Sequence, residues 1–87
     1  MNQSILFPDQ QTYNVTREAV AFPAQSSGAL IPCFVSVDWL QRQTGNSLNA
    51  ESEVLAAFNQ CRFDLEDAAE AAIEDEDFNQ QGEVWIS

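Results

Sequence analysis

The sequence predicts a small α+β domain: an antiparallel or mixed sheet of about four strands, covered by one short and one long helix. Three observations lead there. Residues 18–35 hold two runs that alternate large and small side chains, split by the turn cluster Gln25-Ser26-Ser27-Gly28. Alternation of period two around such a cluster is a hairpin signal. From Val54 to Ile73 the apolar period changes to that of a helix. Short apolar runs at both ends, Ser4–Phe7 and Glu83–Ile86, are bounded by polar or turn residues and read as strands. At 87 residues the chain is expected to form one domain, 1–87.

Ser4-Ile5-Leu6-Phe7 is closed by Pro8-Asp9, which marks an edge strand. The polar stretch 9–16 reads as a loop. In the first hairpin strand, Val20, Phe22 and Ala24 share one face, while Ala19 and Ala21 share the other. In the return strand, Ile31, Cys33 and Val35 face one way, Leu30 and Phe34 the other. Pro32 has no N–H, so its nitrogen must point away from the partner strand or sit at a bulge.

Ser36 or Asp38 can cap the short helix that follows, with Gln41 three residues after Asp38. Gly45 stops it. Asn49 can cap the long helix, with Glu51 and Glu53 at its positive end. Its apolar stripe is Val54, Leu55, Phe58, Cys61, Leu65, Ala68, Ala69, Ala72 and Ile73. Glu76 would rotate into that stripe, so the helix ends near Glu74–Asp77. The turn Asn79–Gly82 leads into the last strand.

Charge narrows the function classes. Residues 1–50 hold three acids and two arginines, and residues 51–87 hold eleven acids and one arginine, giving a net −11 with no Lys or His. Such a field repels nucleic-acid phosphates and anionic membrane, and suits a basic partner or no charged partner at all. No apolar run approaches the ~20 residues of a membrane helix. At 45% hydrophobic residues, the composition is globular rather than disordered.

Catalytic and metal chemistry find few groups to work with. The commonest general base and metal ligand, His, is missing. The acids lack the D-x-[DN]-x-[DN]-G spacing of a calcium loop, so neither a metal nor a cofactor is expected. Cys33 and Cys61 form no CxxC pair and read as reduced, buried thiols of a cytoplasmic protein with no signal peptide. Asn14-Val15-Thr16 fits a glycosylation sequon only by chance in such a protein.

Phe63 is the odd residue. At ~100° per residue it lies opposite the apolar stripe, among Glu66, Asp67, Glu70 and Glu74. An aromatic on an acidic face is a candidate contact anchor, and these five residues form the candidate partner-contact face. A solvated face that keeps the protein soluble is the bland alternative. Trp39 and Trp85 read as core or core-edge residues.

Arg17-Glu18-Ala19-Val20-Ala21-Phe22-Pro23-Ala24, Gly28, Ile31-Pro32-Cys33 and Val35-Ser36 together resemble a family of short bacterial proteins, the domain of unknown function 1488. Phe7-Pro8, Leu55-Ala56-Ala57-Phe58 and Glu83-Val84-Trp85-Ile86 extend the resemblance over most of the chain. It implies a small α+β fold, and no established activity or catalytic residue to carry over. Members are sometimes labelled transcriptional regulators; three scattered arginines in so acidic a chain give that label little physical support.

The expectation is therefore a non-enzymatic, cytoplasmic interaction or accessory domain with an unidentified, basic protein partner. A homodimer, if formed, is expected through a sheet edge, either Ser4–Phe7 or Glu83–Ile86. The alternatives are a regulator acting directly on DNA and a small-molecule-binding domain.

Overall fold

The computed structural model describes residues 5–87; Ser4, read as part of the first strand, lies outside them. The strands are β1 (Ile5–Leu6), β2 (Thr12–Asn14), β3 (Ala19–Ala21), β4 (Ala24–Ser26), β5 (Ala29–Ile31), β6 (Cys33–Ser36) and β7 (Val84–Ile86). The helices are α1 (Val37–Thr44), α2 (Glu51–Gln60) and α3 (Arg62–Glu74), between β6 and β7. The strands order as β1-β4-β5 and β2-β3-β6-β7. β7 pairs β6 in parallel and every other pair is antiparallel, so the expected mixed α+β sheet is what forms.

The two sheets are halves of one hairpin. A constant register runs from Ala19↔Ser36 to Ser26↔Ala29 and sets Pro23 opposite Pro32. Phe22 N–H donates to the Cys33 carbonyl at 2.8 Å. The next pair along, Pro23/Pro32, is therefore one whose nitrogens point out of the hairpin, where a missing N–H costs the partner nothing. Pro32 thus sits as expected, and its outward carbonyl accepts from Val84 N–H at 3.0 Å, the start of β7.

On the far side, Pro23 has no N–H to offer the N-terminal strand. That strand leaves the ladder there: Leu6 pairs Gln25 and Thr12 pairs Ala21, so residues 7–11 bulge past 22–24. Pairing resumes in β2, within the stretch 9–16 read as a loop. The polar run hid the strand because only Tyr13 faces the core. The hairpin tip is Ser27 (φ 52) and Gly28 (φ 81), two left-handed residues of a type I′ turn, tighter than the four-residue cluster implied.

Ser36, not Asp38, caps α1 by accepting from Trp39 N–H at 3.0 Å. Gln41 makes no capping box; its Oε1 accepts from Leu48 N–H at 3.0 Å. Gly45 (φ 72) ends α1 as read. Asn49 does not cap the next helix: Ala50 holds that position, and Glu53 Oε1 accepts from Asn49 N–H at 2.8 Å.

The expected long helix is two helices. At Cys61 (φ −100, ψ 9) the chain breaks step, and its N–H is shared between the Ala57 and Phe58 carbonyls at 3.2 and 3.1 Å. The break changes the phase of α3 relative to α2 and turns the Leu65–Ala69–Ile73 row toward the core. The break lets α3 bury that row, at 9% exposure or less, while Ala68 of the expected stripe is exposed.

α3 ends where Glu76 was expected to stop it. Asp77 N–H reaches the Ala72 carbonyl (2.8 Å) and Glu76 N–H the Ile73 carbonyl (3.1 Å). This is a Schellman closure with Glu76 at φ 57, the position where glycine is favoured. Glu76→Gly is expected to raise stability by about 0.5–1 kcal/mol, relieving the left-handed strain and removing one acid from the negative helix end. A urea midpoint at or below wild type would refute this.

One sheet face carries the core. Ile5, Val20, Phe22, Ala24, Cys33, Val35 and Val84 pack against Leu40, Val54, Ala57, Phe58, Leu65, Ala69 and Ile73 of the helices.

Candidate functional site

The residues proposed as a contact face come together on α3. Phe63, Glu66, Asp67, Glu70 and Glu74 stand at spacings of three, four and seven, which line one side of a helix. Phe63 is 80% exposed, the most open large apolar side chain among the described residues. Asp67 and Glu74 are exposed, while Glu66 and Glu70 are half-buried. Glu66 is not a free acid: it accepts from Arg62 Nε at 2.9 Å.

A second cluster, which sequence reasoning missed, lies on the sheet face away from the helices. The Arg17 guanidinium stacks 4.3 Å above the Phe34 ring and 4.9 Å from Trp85. The two rings are 5.7 Å apart. Both Arg17 terminal nitrogens donate to Glu83, at 3.0 Å each, and Asn79 Nδ2 donates to Glu83 Oε1 at 3.0 Å. The cluster ties the β2–β3 turn to the start of β7. Its signal was the outward parity of Phe34 and Trp85, but Arg17 and Glu83 are 66 residues apart and no local pattern joins them. Trp85, read as core or core-edge, is 37% exposed on this outer face, and Trp39 packs against the core.

The bidentate contact with Arg17, helped by Asn79, holds the Glu83 carboxyl below its ordinary value of 4.5. The same pair raises the Arg17 guanidinium, against some opposition from burial. A carboxylate lowered in the folded state adds stability above its ordinary value and loses it as pH falls through the folded one. Glu83→Gln is therefore expected to be less stable than wild type at neutral pH. The gap should close below about pH 4.5, read as urea midpoints across pH. A gap that stays constant into acid would refute this.

The thiols are poorly placed for nucleophilic work. Cys33 is fully buried, and burial pushes its thiol up to about 11. Cys61 is also raised, by burial and then by the negative charge of Asp64. Both are free. Among the described residues no group of three His, Cys, Asp or Glu side chains is placed to hold a metal, and no helix is long and apolar enough to cross a membrane. An open hollow of about 460 Å³ lies beside Tyr13, Glu18, Asp38 and Gln41. No described polar or charged side chain is buried, so no converging buried groups aim into it.

The sequence model of the family described as "Protein of unknown function (DUF1488)" matches residues 5–86. The chain belongs to the DUF1488 family. Two relatives, each called uncharacterised protein YrdB, come from Escherichia coli (strain K12) and Shigella flexneri. They are 38% and 37% identical, each over 99% of both chains. A crystal structure of a DUF1488 protein of unknown function from Shewanella loihica PV-4 is 38% identical and superposes with a TM-score of 0.95. The match covers 99% of this chain and 94% of that one. The DUF1488 fold is thus shared, and none of these proteins brings an activity.

Proposed function

We propose that this DUF1488 protein is a non-enzymatic interaction domain of the cytosol that docks a basic protein partner on the exposed face of α3. The observation that carries this reading is Phe63, 80% exposed on a helix whose opposite edge is core, with Asp67 and Glu74 open beside it. A rigid helix that offers one aromatic within a ring of like charge suits an anchored, electrostatically steered contact. Two free thiols fit a reducing compartment. Their raised values speak against a cysteine nucleophile.

Direct DNA contact is disfavoured for a structural reason besides net charge. Each of the three arginines already faces a carboxylate: Arg17 with Glu83, Arg42 with Asp38, and Arg62 with Asp9 and Glu66. Freeing one for a phosphate would break an existing pair.

The test is capture by immobilised protein at low and high salt. A basic protein should be retained at low salt, released at high salt, and lost on Phe63→Ala. That substitution should change stability by under about 1 kcal/mol, because the ring is exposed. Equal capture by Phe63→Ala would overturn the reading, as would a partner indifferent to salt.

A further inference from the structure

The sheet face away from the helices is laid out in rows by the strand registers. Leu6, Gln25 and Leu30 stand abreast. Pro23 and Pro32 follow, then Thr12, Ala21, Phe34 and Trp85, then Asn14, Ala19 and Ser36. None of these side chains is charged. Leu6 is 59% exposed, Leu30 66% and Trp85 37%, and Pro32 is also open. The Arg17 guanidinium lies over Phe34 and Trp85 on this same face, its charge cancelled by Glu83 at 3.0 Å. Apolar side chains side by side on one face are what association surfaces look like.

We propose that this face packs against the same face of a second copy, forming a reversible two-fold dimer. The distribution of charge selects that occupant. The chain carries a net −11, and ten of its fourteen acids lie between residues 51 and 77, on or next to α2 and α3. A dimer through the opposite face, whose one ion pair carries no net charge, sets the two acidic layers outermost, where their repulsion is least. A basic partner would find no net negative charge on this face to recognise.

The geometry is self-complementary. A two-fold axis along the Pro23–Pro32 row lays the Leu6–Leu30 row of one copy on the Ala21–Phe34–Trp85 row of the other, against the Arg17 guanidinium that covers those rings. Sheets packed face to face in this way sit ~10 Å apart with strands nearly aligned.

Area sets the strength. The eight-residue arms of the hairpin run ~26 Å, and three to four strands span ~14–19 Å, so each copy offers about 400 Å² of projected surface. That is about half the ~800 Å² per partner of a standard stable interface, so the dimer is weak and depends on concentration.

Sedimentation equilibrium from about 10 µM to about 1 mM tests this, at low and high salt. Wild type should pass from monomer to dimer over that range, more readily at high salt as acid repulsion is screened. Leu6→Asp and Leu30→Asp should each raise the dissociation constant at least tenfold, with unchanged circular dichroism melts, while Phe63→Ala leaves it alone. Acrylamide quenching of tryptophan in wild type should fall with dimerisation, because Trp85 becomes covered. A dimer lost on Leu30→Asp but not on Leu6→Asp would instead mark pairing at the β5 edge, and one indifferent to both would mark β7. Either result overturns the proposal, as does a monomer at every concentration.

Discussion

Phe58→Ala is expected to cost about 3–5 kcal/mol of stability, the largest effect of any single truncation considered for this protein. Phe58 is fully buried and stands where three elements meet. Its ring lies 5.2 Å from Phe22 at 52°, and Phe22 in turn lies 6.4 Å from Phe7 in the bulged segment. The Arg62 guanidinium covers it from the side, 5.6 Å from the ring centroid. Removing the ring therefore leaves a cavity walled by the hairpin, the N-terminal segment and α3, elements held by their own hydrogen bonds and slow to collapse into it. A domain of this size is stable by only about 4–13 kcal/mol, so the variant should sit close to its unfolding threshold. Phe58→Leu keeps most of the volume and should cost less than about 1.5 kcal/mol. Urea unfolding with a shared slope measures both. A loss under about 2 kcal/mol for Phe58→Ala would mean that the site repacks and that the aromatic chain is not what joins the layers.

Phe58 was legible from the sequence, and so were most features set by local chemistry. Alternation set Val20 and Phe22 on one face and Ala19 and Ala21 on the other, and likewise Cys33 and Val35 against Leu30 and Phe34; the structure keeps both groupings and turns the first of each toward the core. Ser36, Gly45 and the Ser27-Gly28 tip act through their own φ and side-chain geometry, which residue type alone reveals. The exposure of Phe63 followed from its angle on the helix wheel.

What stayed hidden is what depends on distant partners. β2 shows one inward side chain, Tyr13, and its strand conformation comes from pairing with β3. The break at Cys61 falls at an ordinary residue with no glycine or proline beside it. It adjoins Arg62, which is bound to a segment more than fifty positions earlier. The Arg17 stack exists only once β7 has docked beside β6. Asp38 and Asn49 do not cap: Ser36 holds the first cap position, and Ala50, which makes no side-chain cap bond, holds the second.

Arg62→Ala is expected to cost about 2–3 kcal/mol and to loosen one segment before the rest. The guanidinium holds the bulge of residues 7–11 to α3. One terminal nitrogen donates to Gln11 Oε1 at 2.9 Å and to Asp9 at 3.2 Å, the other to the Pro8 carbonyl at 3.2 Å, while Nε donates to Glu66 at 2.9 Å. These contacts are not equal. Asp9 is 84% exposed, so that pair is screened and contributes little. The bonds to Gln11 and Pro8 join a charged donor to partly buried neutral acceptors, a class worth about 1.5–3 kcal/mol each before context. The bulge needs this support because Pro23 opposite supplies no N–H, so the N-terminal strand is out of the ladder from Phe7 to Gln11. Arg62→Lys keeps the charge, but a single ammonium cannot meet acceptors spread around a planar fork, so it should recover less than half of the loss. Amide exchange locates the effect. Gln10 N–H, bonded to the Pro8 carbonyl at 2.8 Å, should exchange at least tenfold faster in Arg62→Ala relative to the change at Phe22 and Val84, which should speed up only in step with the loss of global stability. Unchanged exchange at Gln10 would show that the bulge is held by its flanking strands, and that Arg62 acts on α3 alone.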